Sequence, residues 1–141
     1  MADPLFVDTG FVRAILQTAD KFHEVAAAWH RKIQKERIPL VTSSAIFLEL
    51  GDGFCQPEQW GRVAPVIAAF RANPHATVVQ IDEDVFSRAL ALRNARADKD
   101  WGLTDCTSFV VMGDRKITSA LSCDQHFRQH GLKALLLDAV E

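Results

Sequence analysis

Four carboxylates lie beside apolar segments of this 141-residue chain, where they could bind a metal ion. They are Asp8, Glu49, Asp105 and Asp124, and their contexts read LFVD, IFLEL, LTD and ALSCD. A carboxylate carried toward a core is costly unless it finds a partner, and no comparably placed set of Lys or Arg accompanies these four. A hard divalent cation with oxygen ligands would offset their charge and would also supply chemistry.

Helix capping is the competing explanation for two of these acids. Asp105 and Asp124 each stand at a predicted helix start, where backbone N–H groups and the helix dipole favour a carboxylate. Glu49 is too late in its predicted helix for that explanation, and it stands among apolar residues. Asp8 ends a predicted buried strand. The combination of the four therefore indicates a site more strongly than any one of them.

Short apolar runs alternate with longer stretches of helical periodicity along the chain. Strands are predicted at 5–7, 38–41, 77–81, 117–121 and 135–137. Helices are predicted at 10–17, from Asp20 as the cap through Ile33, from the capping hydroxyls of Thr42–Ser44 to about Gly53, at 57–73 and at 82–97. Two more helices are predicted later in the chain, one capped by Thr104 and one that follows Asp124.

This alternation predicts an α/β fold with a central parallel sheet of about five strands, covered by helices on both faces. Sites in such folds gather beyond the carboxyl ends of the strands. Asp8 and Asp124 follow the first and fourth predicted strands, and Glu49 and Asp105 lie on helices that could pack over the same edge. The four acids are therefore expected to converge.

Length and composition predict one ordinary globular domain with a full core. The net charge of -2 argues against a protein that coats nucleic acid by bulk electrostatics, but it does not exclude a nuclease. No apolar run reaches the roughly 20 residues that span a bilayer. The N-terminus lacks a basic region, and the three cysteines form no CxxC pair, which predicts reduced thiols and a cytoplasmic location.

The ordered acids resemble the four acidic motifs of the PIN domain, and most closely those of the VapC-like toxin ribonucleases. The resemblance rests on Val7-Asp8-Thr9, Glu49, the segment DWGLTDCTSFVVM at 100–112 and the segment SCDQHF at 122–127. It covers essentially the whole chain, so that residues 1–141 are expected to form one three-layer α/β/α PIN domain. Two positions depart from the pattern: Ser122 stands where Thr is common, and Gly10 stands where a small polar residue is frequent.

The resemblance implies a ribonuclease that uses Mg²⁺ or Mn²⁺ and leaves a 5′-phosphate and a 3′-hydroxyl. Asp8 and Asp105 would be the principal metal ligands, and Glu49 and Asp124 would bind directly or through water. Thr9 and Ser122 would orient those waters. The set is sufficient for one ion, and for a second when a substrate phosphate completes its shell. Mutual repulsion should raise the pKa of some of these carboxylates in the metal-free protein.

The resemblance also implies partners: an RNA substrate, a small antitoxin that blocks the site, and a second copy of the chain in a homodimer. Exposed apolar residues on the first helices, such as Phe11, Val12 and Ile15, could line the antitoxin's groove, although core packing explains them equally well. Two basic groups could contact RNA phosphates, but a solvated helix face is the more ordinary interpretation of both. The groups are Arg31, Lys32, Lys35 and Arg37, and Arg88, Arg93, Arg96 and Lys99.

Other functions receive less support from the sequence. Cys123, His126 and His130 would suit a structural zinc site only with a fourth ligand, for which no second Cys/His pair is present. A dehalogenase-type phosphatase would require a second Asp where Gly10 stands, and no nucleotide-binding glycine motif occurs. Trp101 and Phe127 could stack on a base or pack in the core. A catalytically silent PIN-like binding module remains the alternative function.

Overall fold

The apolar segments Leu5–Val7 and Leu40–Ser43 form two neighbouring parallel strands, β1 and β2, of the computed structural model, which describes residues 2–138. The sheet has five parallel strands in the order β3-β2-β1-β4-β5, completed by Ala76–Val79 (β3), Ser119–Leu121 (β4) and Lys133–Ala134 (β5). Phe6 of β1 pairs with Val41 on one side and Ala120 on the other. Every residue of β1 and β2 is buried, which explains the apolar sequence of β1 and of the first half of β2. The buried hydroxyls that end β2 are hydrogen-bonded: Thr42 donates to the carbonyl of Val7, and Ser43 accepts the N–H of Ile46.

Helices connect the strands and cover the sheet in a three-layer α/β/α arrangement, as the alternating pattern predicts. Their bounds are Thr9–Leu16 (α1), His23–Glu36 (α2), Ser44–Gly53 (α3), Pro57–Ala72 (α4), Glu83–Ala95 (α5), Leu103–Asp114 (α6) and Gln125–Gln129 (α7). Among the described residues, no helix combines the length and apolar character needed to cross a membrane.

The strand order creates a crevice at the carboxyl end of β1. The chain passes from β1 outward to β2 and β3, and then returns to place β4 on the opposite side of β1. The connection after β1 leads to β2 on one side, and the connection after β4 leads to β5 on the other side. Ligands bind at such switch points in open α/β sheets. Asp8 directly follows β1, and Ser122 directly follows β4, so both are at this crevice.

Aromatic packing holds α6 and α7 beside the crevice. Phe109 packs edge-on against Trp101 and Phe127, with ring centroids 5.1 and 5.2 Å apart, and the ring of His130 stacks on Phe109 at 4.4 Å. Trp101 is 2% exposed, and its indole N–H donates to the side chain of Gln129. Trp101 and Phe127 are therefore core residues and not a surface for stacking on a base.

The predicted helix starts agree with the structure at Ser43 and Asp82 and differ from it at Asp20 and Thr104. Ser43 caps α3 by accepting the N–H of Ile46, and Asp82 caps α5, as expected. Asp20 does not cap α2: it accepts the N–H of Phe22 in the preceding turn, and α2 begins at His23. Thr104 is also not a cap, because α6 begins one residue before it and Gly102 occupies the cap position.

The predicted strand at 135–137 is wrong. Leu135–Leu137 form a 3₁₀ turn, and the last strand is the preceding pair Lys133–Ala134. Strand β4 ends at Leu121, and the N–H of Leu136 instead donates to the carbonyl of Ser122 beyond it. Leu135 and Leu136 are nevertheless buried, so burial and not strand pairing explains the apolar run.

Candidate active site

Asp8 is the most buried acid of the candidate site, with 8% of its surface exposed. Its backbone N–H donates to the carbonyl of Leu121, and its Oδ2 accepts the hydroxyl of Ser122 at 2.7 Å. Burial raises the pKa of Asp8 to about 7, and the nearby charges of Glu49 and Asp105 add to this increase. The hydrogen bond from Ser122 acts in the opposite direction. The expected increase in pKa therefore occurs, but desolvation and not mutual repulsion is its main cause.

Glu49 reaches the site from the solvent side of α3. Ile46 and Leu50 of this helix are buried, whereas Leu48 and Glu49 are exposed, because the helical period turns them away from the core. The prediction that Glu49 lies in apolar surroundings is therefore wrong. The hydroxyl of Thr9 donates to the Glu49 carboxylate, which links this acid to the residue that follows Asp8.

Asp105 lies in the first turn of α6 and is partly buried. Its Oδ2 accepts the N–H of Gly102 at 3.1 Å and lies 2.8 Å from Nδ1 of His126. Burial raises the pKa of Asp105, as does the charge of Asp124, while the hydrogen bond with His126 lowers it. Asp105 thus has the capping contact expected from its position and also faces the other acids.

Asp124 also has two roles. Its Oδ1 caps α7 by accepting the N–H of His126 at 2.9 Å, and the same oxygen lies 3.2 Å from His126 Nδ1. Its own N–H donates to the hydroxyl of Ser122, which in turn donates to Asp8. The buried Ser122 side chain therefore connects the first acid to the last, so the supporting role predicted for it has a geometric basis.

His126 is the residue of this site that the sequence analysis did not assign to it. Its Nδ1 faces Asp105 and Asp124, and its Nε2 lies 3.2 Å from the Asp100 carboxylate. Burial lowers the pKa of His126, but the three carboxylates together outweigh this effect and raise it. The available signal was the spacing of His126 two residues after Asp124 at the start of a helix.

Gly10, one of the two departures from the family pattern, has a steric explanation. A Cβ atom at this position would lie 2.9 Å from the Sγ of Cys123, a distance that real Cβ contacts essentially never show. The thiol of Cys123 thus occupies the space that a side chain at residue 10 would need. This contact joins the start of α1 to the segment between Ser122 and Asp124.

The four acids form two linked groups at the crevice. Within residues 2–138, one set of His, Cys, Asp or Glu side chains has ligand atoms all within 4.8 Å, and it consists of Asp105, Asp124 and His126. Asp8 and Glu49 form the second group, within which the Thr9 hydroxyl donates to Glu49. Ser122 connects this group to the first, through Asp8 and Asp124. The set considered for zinc does not assemble there, because the His130 ring is stacked on Phe109.

The donor set suits a hard divalent ion. Carboxylate oxygens are the ligands that Mg²⁺ and Mn²⁺ prefer, and a nearby cation would favour the ionised form of the buried Asp8. Several basic side chains are engaged with other acids. Arg88 bridges Asp84 and Asp114, Arg96 and Lys99 contact Asp98, and Arg128 contacts Asp138. The second predicted phosphate-binding group is thus largely committed to intramolecular pairs.

If Asp8 binds a metal ion at a ribonuclease site, as the family resemblance implies, replacing Ser122 with Ala should lower the rate of RNA cleavage about 10–100-fold, the usual cost of removing an outer partner of a metal ligand. The change removes the donor to Asp8 and leaves the Asp124 N–H without its acceptor. Ser122→Thr, which keeps the hydroxyl, is the matched variant and should retain more activity than Ser122→Ala. RNA cleavage rates at saturating metal would measure this, and equal activity of Ser122→Ala and wild type would contradict it.

Comparison with known proteins supports the fold. A family model described as the PIN domain matches residues 5–132. Among solved structures, the crystal structure of VapC20 from Mycobacterium tuberculosis, described as a sarcin-ricin loop cleaving toxin, superposes with a TM-score of 0.75. The two sequences are 24% identical, and the match covers 92% of this chain and 97% of that one. A search of curated protein sequences found no match.

Proposed function

The chain belongs to the PIN domain family, and on that basis we propose that it is a Mg²⁺- or Mn²⁺-dependent endoribonuclease of the VapC-like toxin type. The observation that carries the proposal is the buried Asp8 at the switch point of the sheet, facing Asp105 and Glu49. Within residues 2–138 no ion pair with a basic side chain involves Asp8, and a carboxylate held in this way is suited to an exchangeable cation. The structural similarity to a sarcin-ricin loop cleaving toxin agrees with RNA as the substrate.

Asp8, Glu49, Asp105 and Asp124 would hold the metal, with Asp8 and Asp105 as principal ligands. When bound, the ion supplies charge stabilisation of the phosphate and of the leaving oxygen, and lowers the pKa of the attacking water. The protein's own contribution is orientation. Ser122 donates a hydrogen bond to one oxygen of Asp8, and the backbone N–H of Thr9 also hydrogen-bonds to this carboxylate. The Thr9 hydroxyl holds the Glu49 carboxylate toward the same edge.

We also propose that an antitoxin binds an apolar groove lined by residues of α1, α2 and α4. The groove measures about 410 Å³. Its lining includes Phe11, Val12, Ile15, Ile33, Val66 and Phe70. Phe11 and Val12 are 4% exposed, so they contribute the floor of the groove and are not projecting residues. An amphipathic helix would suit such a groove. Homodimer formation, a cytoplasmic location and the extent of the domain over residues 1–141 remain part of this proposal.

The experiment that tests the proposed activity maps cleavage sites in total RNA. Purified wild-type protein with Mg²⁺ or Mn²⁺ should produce a small set of new ends, with 5′-phosphate and 3′-hydroxyl termini, that Asp8→Asn does not produce. Absence of new ends under either metal would favour the alternative, a catalytically silent PIN-like module that binds RNA or protein. The same ends in both proteins, at the same rate, would contradict a role of Asp8 in the cleavage.

A further inference from the structure

His126 projects from the first turn of α7 into the space between Asp105 and Asp124. Its side chain is 22% exposed, and those of the two acids are 18% and 39% exposed. All three therefore border the crevice without being sealed from it. The proposed activity uses the two acids as metal ligands but gives the imidazole no role.

The separations among these atoms are those of neighbouring ligands on one ion. His126 Nδ1 lies 2.8 Å from Asp105 Oδ2 and 3.2 Å from Asp124 Oδ1. Adjacent ligands of an octahedral ion with bonds of about 2.1 Å are separated by about 3.0 Å, the bond length multiplied by the square root of two. Nδ1 thus already lies at the spacing of an adjacent ligand from each of the two oxygens, and all three atoms lie within 4.8 Å of one another.

The other ring nitrogen has the partner that a metal-binding histidine usually has. Nε2 lies 3.2 Å from Oδ1 of Asp100 in the loop before α6. Metal-binding histidines almost always donate their second N–H to a carboxylate, carbonyl or water, and this contact fixes the ring and leaves the first nitrogen free for the ion. The contact between Asp100 and Nε2 therefore supports a metal-binding role of His126 independently of the distances from Nδ1.

The positions of both acids are also fixed by the backbone. The Gly102 N–H holds Asp105, and the His126 N–H holds Asp124. Because Asp124 and His126 belong to the same helical turn, their ligand atoms are held together by local structure. Ion binding would therefore need little rearrangement of the three side chains.

We propose that His126 is a nitrogen ligand of the active-site ion, with Asp100 as its outer partner, and that the site consequently prefers Mn²⁺ to Mg²⁺. The inference rests on the proposed function. Mg²⁺ takes oxygen ligands and keeps several waters, whereas first-row transition ions accept imidazole nitrogen more readily. A site formed from carboxylates alone would lack the nitrogen ligand that favours Mn²⁺ over Mg²⁺.

The test measures Mn²⁺ and Mg²⁺ affinities of the full chain by calorimetry, together with the electron spin echo spectrum of bound Mn²⁺. Wild type should show nitrogen coupling that changes when histidine is labelled with ¹⁵N. His126→Gln should lose this coupling and bind Mn²⁺ at least about 10-fold more weakly. Its Mg²⁺ affinity should change less than about 3-fold, since oxygen ligands dominate for that ion. Asp100→Asn should weaken Mn²⁺ binding in the same direction by a smaller factor.

His75→Gln is the matched control, because it makes the same change at an exposed residue outside the site. Wild-type Mn²⁺ without nitrogen coupling would overturn the inference, even if His126→Gln failed to fold. Equal weakening of both ions in His126→Gln would also overturn it, and would make His126 a positioning residue that only orients the two acids. If wild type binds neither ion and cleaves RNA in chelator, the proposed function itself fails. If wild type needs metal for cleavage but shows no nitrogen coupling, only this inference fails.

Discussion

Asp8→Asn should reduce RNA cleavage at least about 100-fold. Loss of an outer partner of a ligand alone costs about 10–100-fold, and Asp8 is proposed as a ligand itself. The amide keeps the size of the side chain and can still accept the Ser122 hydroxyl, but it cannot supply the negative charge that an ion requires. Asp8→Asn therefore tests the effect of the negative charge while keeping the packing of the side chain.

Single-turnover cleavage of a defined RNA at saturating Mg²⁺ or Mn²⁺ would measure the loss. Asp52→Asn is the matched control: it makes the same chemical change on α3, at an exposed carboxylate outside the site, and should leave the rate unchanged. Wild-type rates in Asp8→Asn would remove Asp8 from the metal site. Circular dichroism of the variant would establish that its fold is retained.

The metal-free protein should become less stable as pH rises from 5 to 8. The pKa of Asp8 is raised from 3.8 in a free side chain to about 7 in the folded protein, so folding favours the protonated form. That contribution is fully present below about pH 4 and is lost as pH passes through 7. At 1.36 kcal/mol per pKa unit, the change between pH 5 and 8 is about 2–3 kcal/mol.

Urea unfolding in chelator, for wild type and Asp8→Asn at both pH values, would measure this difference. His126 also has a raised pKa and loses stability in the same direction, but it is present in both proteins, and so it cancels in the comparison. Asp8→Asn should therefore show a pH dependence smaller by about 2–3 kcal/mol, and should be the more stable protein at pH 8. Equal pH dependence in the two proteins would show that Asp8 is already ionised when folded.

The sheet and the placement of Asp8 could be predicted because they depend on local pattern. A continuous apolar run followed by an acid is typical of a buried parallel strand that ends at a site, and β1 and Asp8 follow this rule. The Ser43 cap of α3 was predictable for the same reason, since a hydroxyl before an apolar helical stretch needs no tertiary information.

Features that depend on tertiary contacts could not be predicted in this way. The exposure of Glu49 depends on which side of α3 faces the sheet, and an apolar neighbourhood in sequence did not determine that. The position of His126 beside the acids depends on the packing of α6 near α7. This packing places Asp105 next to the imidazole, although the two residues are 21 positions apart in the sequence. The conformation of Leu135 and Leu136 could not be predicted either, because a buried apolar run is compatible with a strand and with a 3₁₀ turn.

Metal dependence can be tested on one preparation of wild-type protein by measuring RNA cleavage before metal is removed, after it is removed and after it is returned. Cleavage should proceed with Mg²⁺ or Mn²⁺, stop when chelator is added in excess, and resume at the same sites when the ion is restored. Asp8→Asn should remain inactive throughout. Undiminished cleavage by the wild-type protein in excess chelator would contradict a metal-dependent ribonuclease site.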